Sequence, residues 1–176
     1  MGSGKSAVGR RIAKQLGLRF LDTDHEIEYR EGYRISEIFS KEGEARFRVL
    51  ERSLTKELSA RTDLVIATGG GLILDPRNLD DLRQNGVIIV LGVRPDTVFL
   101  RVGHQTHRPL LESDPTKGGL DAIAKRDRIL KLLAERDPIY RAAGVYIETD
   151  GKTLDDVTAE VVAAYQKNND SQPPPG

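Results

Sequence analysis

Met1-Gly2-Ser3-Gly4-Lys5-Ser6-Ala7-Val8-Gly9-Arg10-Arg11-Ile12-Ala13-Lys14-Gln15-Leu16 opens the chain. Gly4-Lys5-Ser6 fits the last three positions of the phosphate-binding pattern G-x-x-x-x-G-K-[ST]. On that alignment the first glycine of the pattern falls two residues before Met1. Val8, Ile12 and Leu16 recur on one face of a helix, and Gly17 is placed to end it. A glycine-rich turn opening such a helix offers backbone N–H groups and a positive helix end to phosphate oxygens. Lys5 then reaches the outer phosphates, and the Ser6 hydroxyl is a magnesium ligand. A loop of this kind is entered from a strand, which here would precede residue 1.

Outward from this stretch the chain alternates short β-rich runs with helical patterns, which points to a parallel α/β sheet. The runs 18–22 (LRFLD), 64–68 (LVIAT), 87–91 (VIIVL) and 145–148 (VYIE) read as strands, with 87–91 the clearest buried one. A helical stretch covers about 24–31. Phe47, Leu50, Leu54 and Leu58 mark one face of a long helix. Asp75-Pro76 reads as N-cap and first position of a helix that ends at Gly86. A short helix is expected from Pro95 to about Val102, a loop from Gly103 to Gly119 and a helix over 120–136. Thr153 with Asp156 forms a capping box before the last helix.

Composition fits one globular domain. The chain has 176 residues, 38% hydrophobic and 31% charged. Lys+Arg and Asp+Glu are both 27, so no basic excess points to nucleic acid or a membrane surface. There is no cysteine, which excludes disulfides, thiolate metal sites and a thiol nucleophile. His25, His104 and His107 do not form a metal-binding pattern. No apolar run approaches the ~20 residues of a membrane span, and no apolar leader opens the chain. A cytoplasmic protein is expected. Residues 167–176 (KNNDSQPPPG) read as a disordered tail behind a single domain at 1–166.

Several residues beyond the opening loop carry candidate chemistry. Asp22 and Asp24 follow a strand, at the end where α/β folds place their sites, and their spacing lets one face a metal and the other a substrate. Arg48 stands beside the apolar face of the long helix and suits an anionic group, although a lone helical arginine is more often solvated. Gly69-Gly70-Gly71 after an apolar strand implies backbone brought close to a ligand. Arg108, in Arg108-Pro109-Leu110-Leu111, suits a lid over phosphates or an ordinary surface loop. Arg136, before Asp137-Pro138, reads as a helix-terminal cation, favourable there with or without a ligand.

In this order the motifs resemble the shikimate kinase family. The resemblance runs from residue 1 to about 165. It is carried by Gly2-Ser3-Gly4-Lys5-Ser6, Phe20-Leu21-Asp22-Thr23-Asp24, Ile38-Phe39, Gly43-Glu44-x-x-Phe47-Arg48-x-x-Glu51, the three glycines, Arg108-Pro109-Leu110-Leu111 and Arg136-x-Pro138-x-Tyr140. It implies a three-layer P-loop kinase fold with strand order 2-3-1-4-5, in which strand 1 is absent from this chain and strands 64–68 and 87–91 flank its place. It implies ATP and Mg²⁺ as cofactors and phosphorylation of the 3-hydroxyl of shikimate.

By the same resemblance, Gly2, Ser3, Gly4, Lys5, Ser6 and Ala7 hold ATP, with Ala7 standing where a second hydroxyl residue is common. Arg101 stacks on adenine and Arg108 closes over the phosphates. Ser6 and Asp22 organise the metal. Asp24, Lys5 and Arg108 are the catalytic set. Arg48 and Arg136 grip the substrate carboxylate, supported by Glu51. Gly70 and Gly71 offer backbone, and Phe39 and Phe47 wall the pocket. The substrate region spans about 24–52 and the lid about 103–120, longer than in compact members. A monomer is expected, without nucleic acid or membrane partners. The start at Met1 is expected to be an internal methionine, with an N-terminally extended form the more active. Two other readings stay open: a gluconate-kinase-like enzyme, against which Arg48, Glu51 and the three glycines argue, and a truncated non-catalytic binding remnant.

Overall fold

Helix α1 spans Lys5–Leu16 and is set by its own sequence. Gly4 enters it at φ 82°, a left-handed backbone that glycine adopts without steric penalty. Val8 and Ile12 are buried, each contributing about 1.5–3 kcal/mol. Gly17 closes the helix, its N–H bonding the Ala13 carbonyl. The computed structural model describes residues 3–94, 97 and 118–169. In chain order the other elements are β1 (Arg19–Asp22), α2 (Thr23–Glu31), α3 (Ile35–Ser59), β2 (Leu64–Ala67), a 3-10 turn (Leu72–Leu74), α4 (Pro76–Asn85), β3 (Ile89–Gly92), α5 (Gly118–Ala143), β4 (Val145–Glu148) and α6 (Leu154–Asn169).

The strands form two parallel pairs. In one, Arg19 stands opposite Leu64 and Asp22 opposite Ala67. In the other, Ile89 stands opposite Val145 and Gly92 opposite Glu148. Side chains alternate between two faces, as the pleat requires. Leu64 and Ile66 pack with Ile27, Ile38 and Phe47 of α2 and α3, whereas Val65 packs with Val8 and Ile12 of α1. Ile89 and Leu91 share that α1 layer with Val157 and Val161 of α6, whereas Ile88 and Val90 meet Leu72, Ile73 and Ala143. Helices therefore cover both faces, a three-layer α/β arrangement. Among the described residues no strand joins β2 to β3. A cavity of about 580 Å³ lies between them, lined by both strands, α1 and α5.

The expected caps are in place. Asp75 accepts the Arg77 N–H at 3.0 Å with Pro76 as the first residue of α4. Thr153 and Asp156 exchange N–H bonds at 3.0 and 3.2 Å.

Four expectations are corrected. The third strand runs over 89–92 instead of 87–91, because Gly92 O accepts both the N–H and the hydroxyl of Thr149, at 2.9 and 2.7 Å, and extends the ladder there. Its residues 89–91 are half-buried, since its outer edge faces the cavity. Helix α5 begins at Gly118 and passes through Pro138 to Ala143, so Gly118 and Gly119 are helical and Arg136 is not at a helix end. Pro138 removes one rung of the helix. The last turn holds because Tyr140 bonds Gly70 O at 2.7 Å and Arg83 bonds the Ala142 and Ala143 carbonyls at 2.8 and 2.9 Å. Finally, α6 continues over 167–169, where Asn168 bonds the Ala164 carbonyl at 2.8 Å. The expected helix at 95–102, the loop at 103–117 and the tail at 170–176 lie outside the described residues, apart from Thr97.

Candidate active site

The parallel strands end at Asp22, Ala67, Gly92 and Glu148, and the N-terminus of α1 lies at this end of the sheet. The Ser6 hydroxyl donates to Asp22 Oδ2 at 2.6 Å. The other Asp22 oxygen accepts the N–H groups of Asp24 and His25 at 3.1 and 3.4 Å, capping α2. One side chain thus closes β1, starts α2 and touches the phosphate-binding loop. Ser3 is buried, and Lys5 Nζ lies 3.5 Å from its hydroxyl. The first-turn N–H groups of α1 have no intrahelical partner and carry the positive end of the helix dipole. Ala7 is exposed on this turn. Gly2, Arg101 and Arg108 lie outside the described residues.

The three glycines follow β2, and each meets a different group. A Cβ on Gly69 would sit 2.4 Å from Asp24 Oδ1 and 3.3 Å from Glu51 Oε1. A Cβ on Gly71 would sit 2.6 Å from Arg48 Nη1. Gly70 offers its carbonyl to the Tyr140 hydroxyl. The absence of side chains is what lets Asp24, Glu51 and Arg48 converge on this turn.

Helix α3 supplies the charged part of the cluster. It breaks at Gly43, whose φ of 82° and ψ of 171° are not helical. A second arm then starts at Glu44. Arg48 donates to Glu44 Oε1 at 2.6 and 3.1 Å, one turn away, and to Glu51 Oε2 at 2.5 Å. Glu51 is 1% exposed, and its Oε1 has no hydrogen-bond partner among the described residues. Burial pushes its carboxyl above the usual carboxylate range, Arg48 pulls it back without cancelling the rise, and Asp24 adds to it. Burial also opposes the charge on Arg48, but its bonds to Glu44 and Glu51 outweigh that and hold the cation above its ordinary value. Phe47 lies in the core beneath this arm, with the Phe39 ring 5.1 Å away. Arg136 is half-buried one helical turn before Tyr140, on the side of α5 that meets Gly70.

Sequence reasoning missed three supporting residues. Thr23 is 1% exposed and accepts the Gly69 N–H at 3.0 Å. Asn78 holds the 3-10 turn after the glycines through the Leu72 carbonyl at 2.9 Å. Tyr140 completes the set. Thr23 and Tyr140 lay inside stretches already singled out, and only their spacing from the glycines, 46 and 70 residues in chain order, hid the contact.

A parallel α/β sheet, a Gly4-Lys5-Ser6 helix start and a metal-suited Ser6–Asp22 pair together define a small P-loop kinase. A family model described as shikimate kinase matches residues 1–166. A shikimate kinase of Caldanaerobacter subterraneus subsp. tengcongensis is 42% identical over 168 residues, covering 95% of this chain and 92% of the relative. One of Halorhodospira halophila is 44% identical over 167 residues, covering 94% and 89%. A solved shikimate kinase from Acinetobacter baumannii in complex with shikimate superposes with a TM-score of 0.85 at 37% identity, covering 96% of this chain and 89% of that one. The chain belongs to the shikimate kinase family.

Proposed function

We propose that this protein transfers the γ-phosphoryl group of ATP to the 3-hydroxyl of shikimate, giving ADP and 3-phosphoshikimate. The observation that carries the reading is the convergence of Asp24, Glu51 and Arg48 on Gly69–Gly71, beside the Ser6–Asp22 pair. Shikimate is a triol with one carboxylate, so its pocket needs fixed cations and hydroxyl acceptors. Arg48 and Arg136 take the carboxylate, and Glu51 fixes Arg48 in a bidentate-capable pose. Asp24 orients the accepting hydroxyl and takes its proton as the new P–O bond forms and the bond to the ADP oxygen breaks. The open Glu51 Oε1 is a second acceptor. Gly70 and Gly71 admit the ring close to backbone, and Phe39 with Phe47 backs the pocket.

The N–H groups around Ser3, Gly4, Lys5, Ser6 and Ala7 hold phosphate oxygens, with Gly2, Arg101 and Arg108 completing the ATP site. Ser6 and Asp22 offer a hydroxyl and a carboxylate oxygen, hard donors that fit Mg²⁺ with few protein ligands. Bound there, Mg²⁺ neutralises phosphate charge and orients the transferring group. The substrate region is 24–52, the lid begins near 103, and the protein works as a cytoplasmic monomer on small molecules. Among the described residues no helix is long and apolar enough to cross a membrane.

Arg48→Ala tests the assignment. Shikimate affinity measured by calorimetry should fall by at least about tenfold, the loss of a charge-assisted pair, while ATP affinity stays within about twofold. A selective loss of ATP affinity contradicts the role, and faster turnover of gluconate than shikimate in a coupled ADP-release assay overturns the substrate.

A further inference from the structure

Arg48 and Arg136 come from two different helices, α3 and α5, and α4 is bonded to both. Asn78, Asp81 and Asn85 follow one another at i, i+3 and i+7, so they share one face of α4. That face meets α3. Arg52, one turn past Arg48, donates to Asp81 Oδ2 and, at 3.3 Å, to Asn78 Oδ1. Asn85 donates to the Ser59 carbonyl at 3.0 Å. Arg83 stands two residues past Asp81, about 200° round the helix. It bonds α5 instead, donating to the Ala142 and Ala143 carbonyls at 2.8 and 2.9 Å. Leu79 and Leu82 pack on Leu72, Ile73 and Ala143, and Asn78, 2% exposed, holds the turn after the glycines. The Arg52–Asp81 pair is more than two-thirds buried on both sides, so water screens it less than the exposed pairs of α2 and α3. On the other side, Pro138 removes a rung from the turn that carries Arg136. The aim of Arg136 therefore depends on what anchors α5 beyond the proline, and Arg83 is such an anchor.

We propose that α4 is a brace that sets the separation of Arg48 and Arg136, with Asn78, Asp81 and Arg83 as positioning residues for the substrate carboxylate. This rests on the assignment of that carboxylate to Arg48 and Arg136. Loosening either end of the brace moves one cation relative to the other. The carboxylate is held alike before and during phosphoryl transfer, so the effect falls on substrate binding and not on turnover. The Ser6–Asp22 pair is set by α1 and β1, so ATP binding is spared.

The test cuts each end of the brace in the full chain. Arg52→Met and Arg83→Met keep the aliphatic stems and lose the bonds. Each should raise the KM for shikimate about fivefold, with kcat and the KM for ATP within about twofold of wild type. Arg83→Lys can still bond both carbonyls and should restore the wild-type KM. The chain has no cysteine, so spin labels at Val49→Cys and Glu135→Cys, exposed positions beside Arg48 and Arg136, report the spacing directly. Both Met variants should widen the distribution of label-to-label distances measured by pulsed electron resonance, with unfolding midpoints confirming the fold. An effect of Arg52→Met alone marks a local action on Glu51 and overturns the brace. An unchanged distance distribution, a KM rise that Arg83→Lys does not reverse, or equal rises in KM for shikimate and ATP overturns it too. Failure of the shikimate reading shows separately, as Arg48→Ala leaving shikimate affinity intact. The distance measurement uses no substrate and decides in that case as well whether α4 sets the spacing.

Discussion

Gly69→Ala is the sharpest probe of the site. Gly69 has no left-handed backbone, so alanine introduces no φ strain. Its added Cβ would lie 2.4 Å from Asp24 Oδ1 and 3.3 Å from Glu51 Oε1. Ordinary carbon–oxygen contact is about 3.4 Å, so the Asp24 carboxylate must retreat by about 1 Å, a misplacement that costs about 100-fold in rate. The Glu51 contact is only slightly tight, so the Arg48–Glu51 pair should survive. Turnover followed by coupled ADP release should therefore fall by about 100-fold, with ATP affinity unchanged and shikimate affinity changed far less than turnover. The unfolding midpoint checks that the fold is intact. A variant with turnover within about threefold of wild type, at wild-type stability, refutes the idea that Asp24 acts from its observed position.

Other outcomes follow from the same cluster. Glu44 occupies the outward face of Arg48 that a substrate carboxylate needs, through an exposed i,i+4 pair. Such pairs contribute about 0.3–0.5 kcal/mol, so Glu44→Gln should lower the KM for shikimate about twofold and leave that for ATP alone; a raised KM would give Glu44 a binding role. Thr23→Val leaves the buried Gly69 N–H without its acceptor, and urea unfolding should register a loss of about 1–3 kcal/mol. A loss below the error of the measurement would mean that the amide finds another partner. Because burial raises the Glu51 pKa in the folded state above 4.5, the native protein binds the proton to higher pH than the unfolded chain. Wild type should therefore lose stability relative to Glu51→Gln as pH rises from 4.5 through the raised value. A difference between the two that is flat, or of opposite slope, would be inconsistent with a desolvated carboxyl.

Patterns confined to one element were readable from sequence. The α1 face, the Asp75-Pro76 start of α4 and the Thr153–Asp156 box each depend on residues a turn apart. The site was readable where its residues share a short stretch, as with Arg48 and Glu51 on one helical arm. It was hidden where contacts join distant segments: Thr23 to Gly69, and Tyr140 to Gly70. Pro138 misled for a related reason. Its local preference is to stop a helix, and the Arg83 bonds to the Ala142 and Ala143 carbonyls that let α5 continue come from another element. The end of β3 was likewise decided by Thr149, the residue just past its partner strand.

The break in α3 has an evolutionary consequence. In an unbroken helix every added or lost residue turns all that follows by about 100°. Gly43 interrupts that transmission, because its extended ψ of 171° uncouples the azimuth of the arm before it from the arm after it. Insertions or deletions in the first arm, on the Phe39 side, can be absorbed at this point. The Glu44–Arg48–Glu51 stripe keeps its aim at Gly69–Gly71 regardless. The first arm is thereby open to variation in length while the charged arm is held fixed.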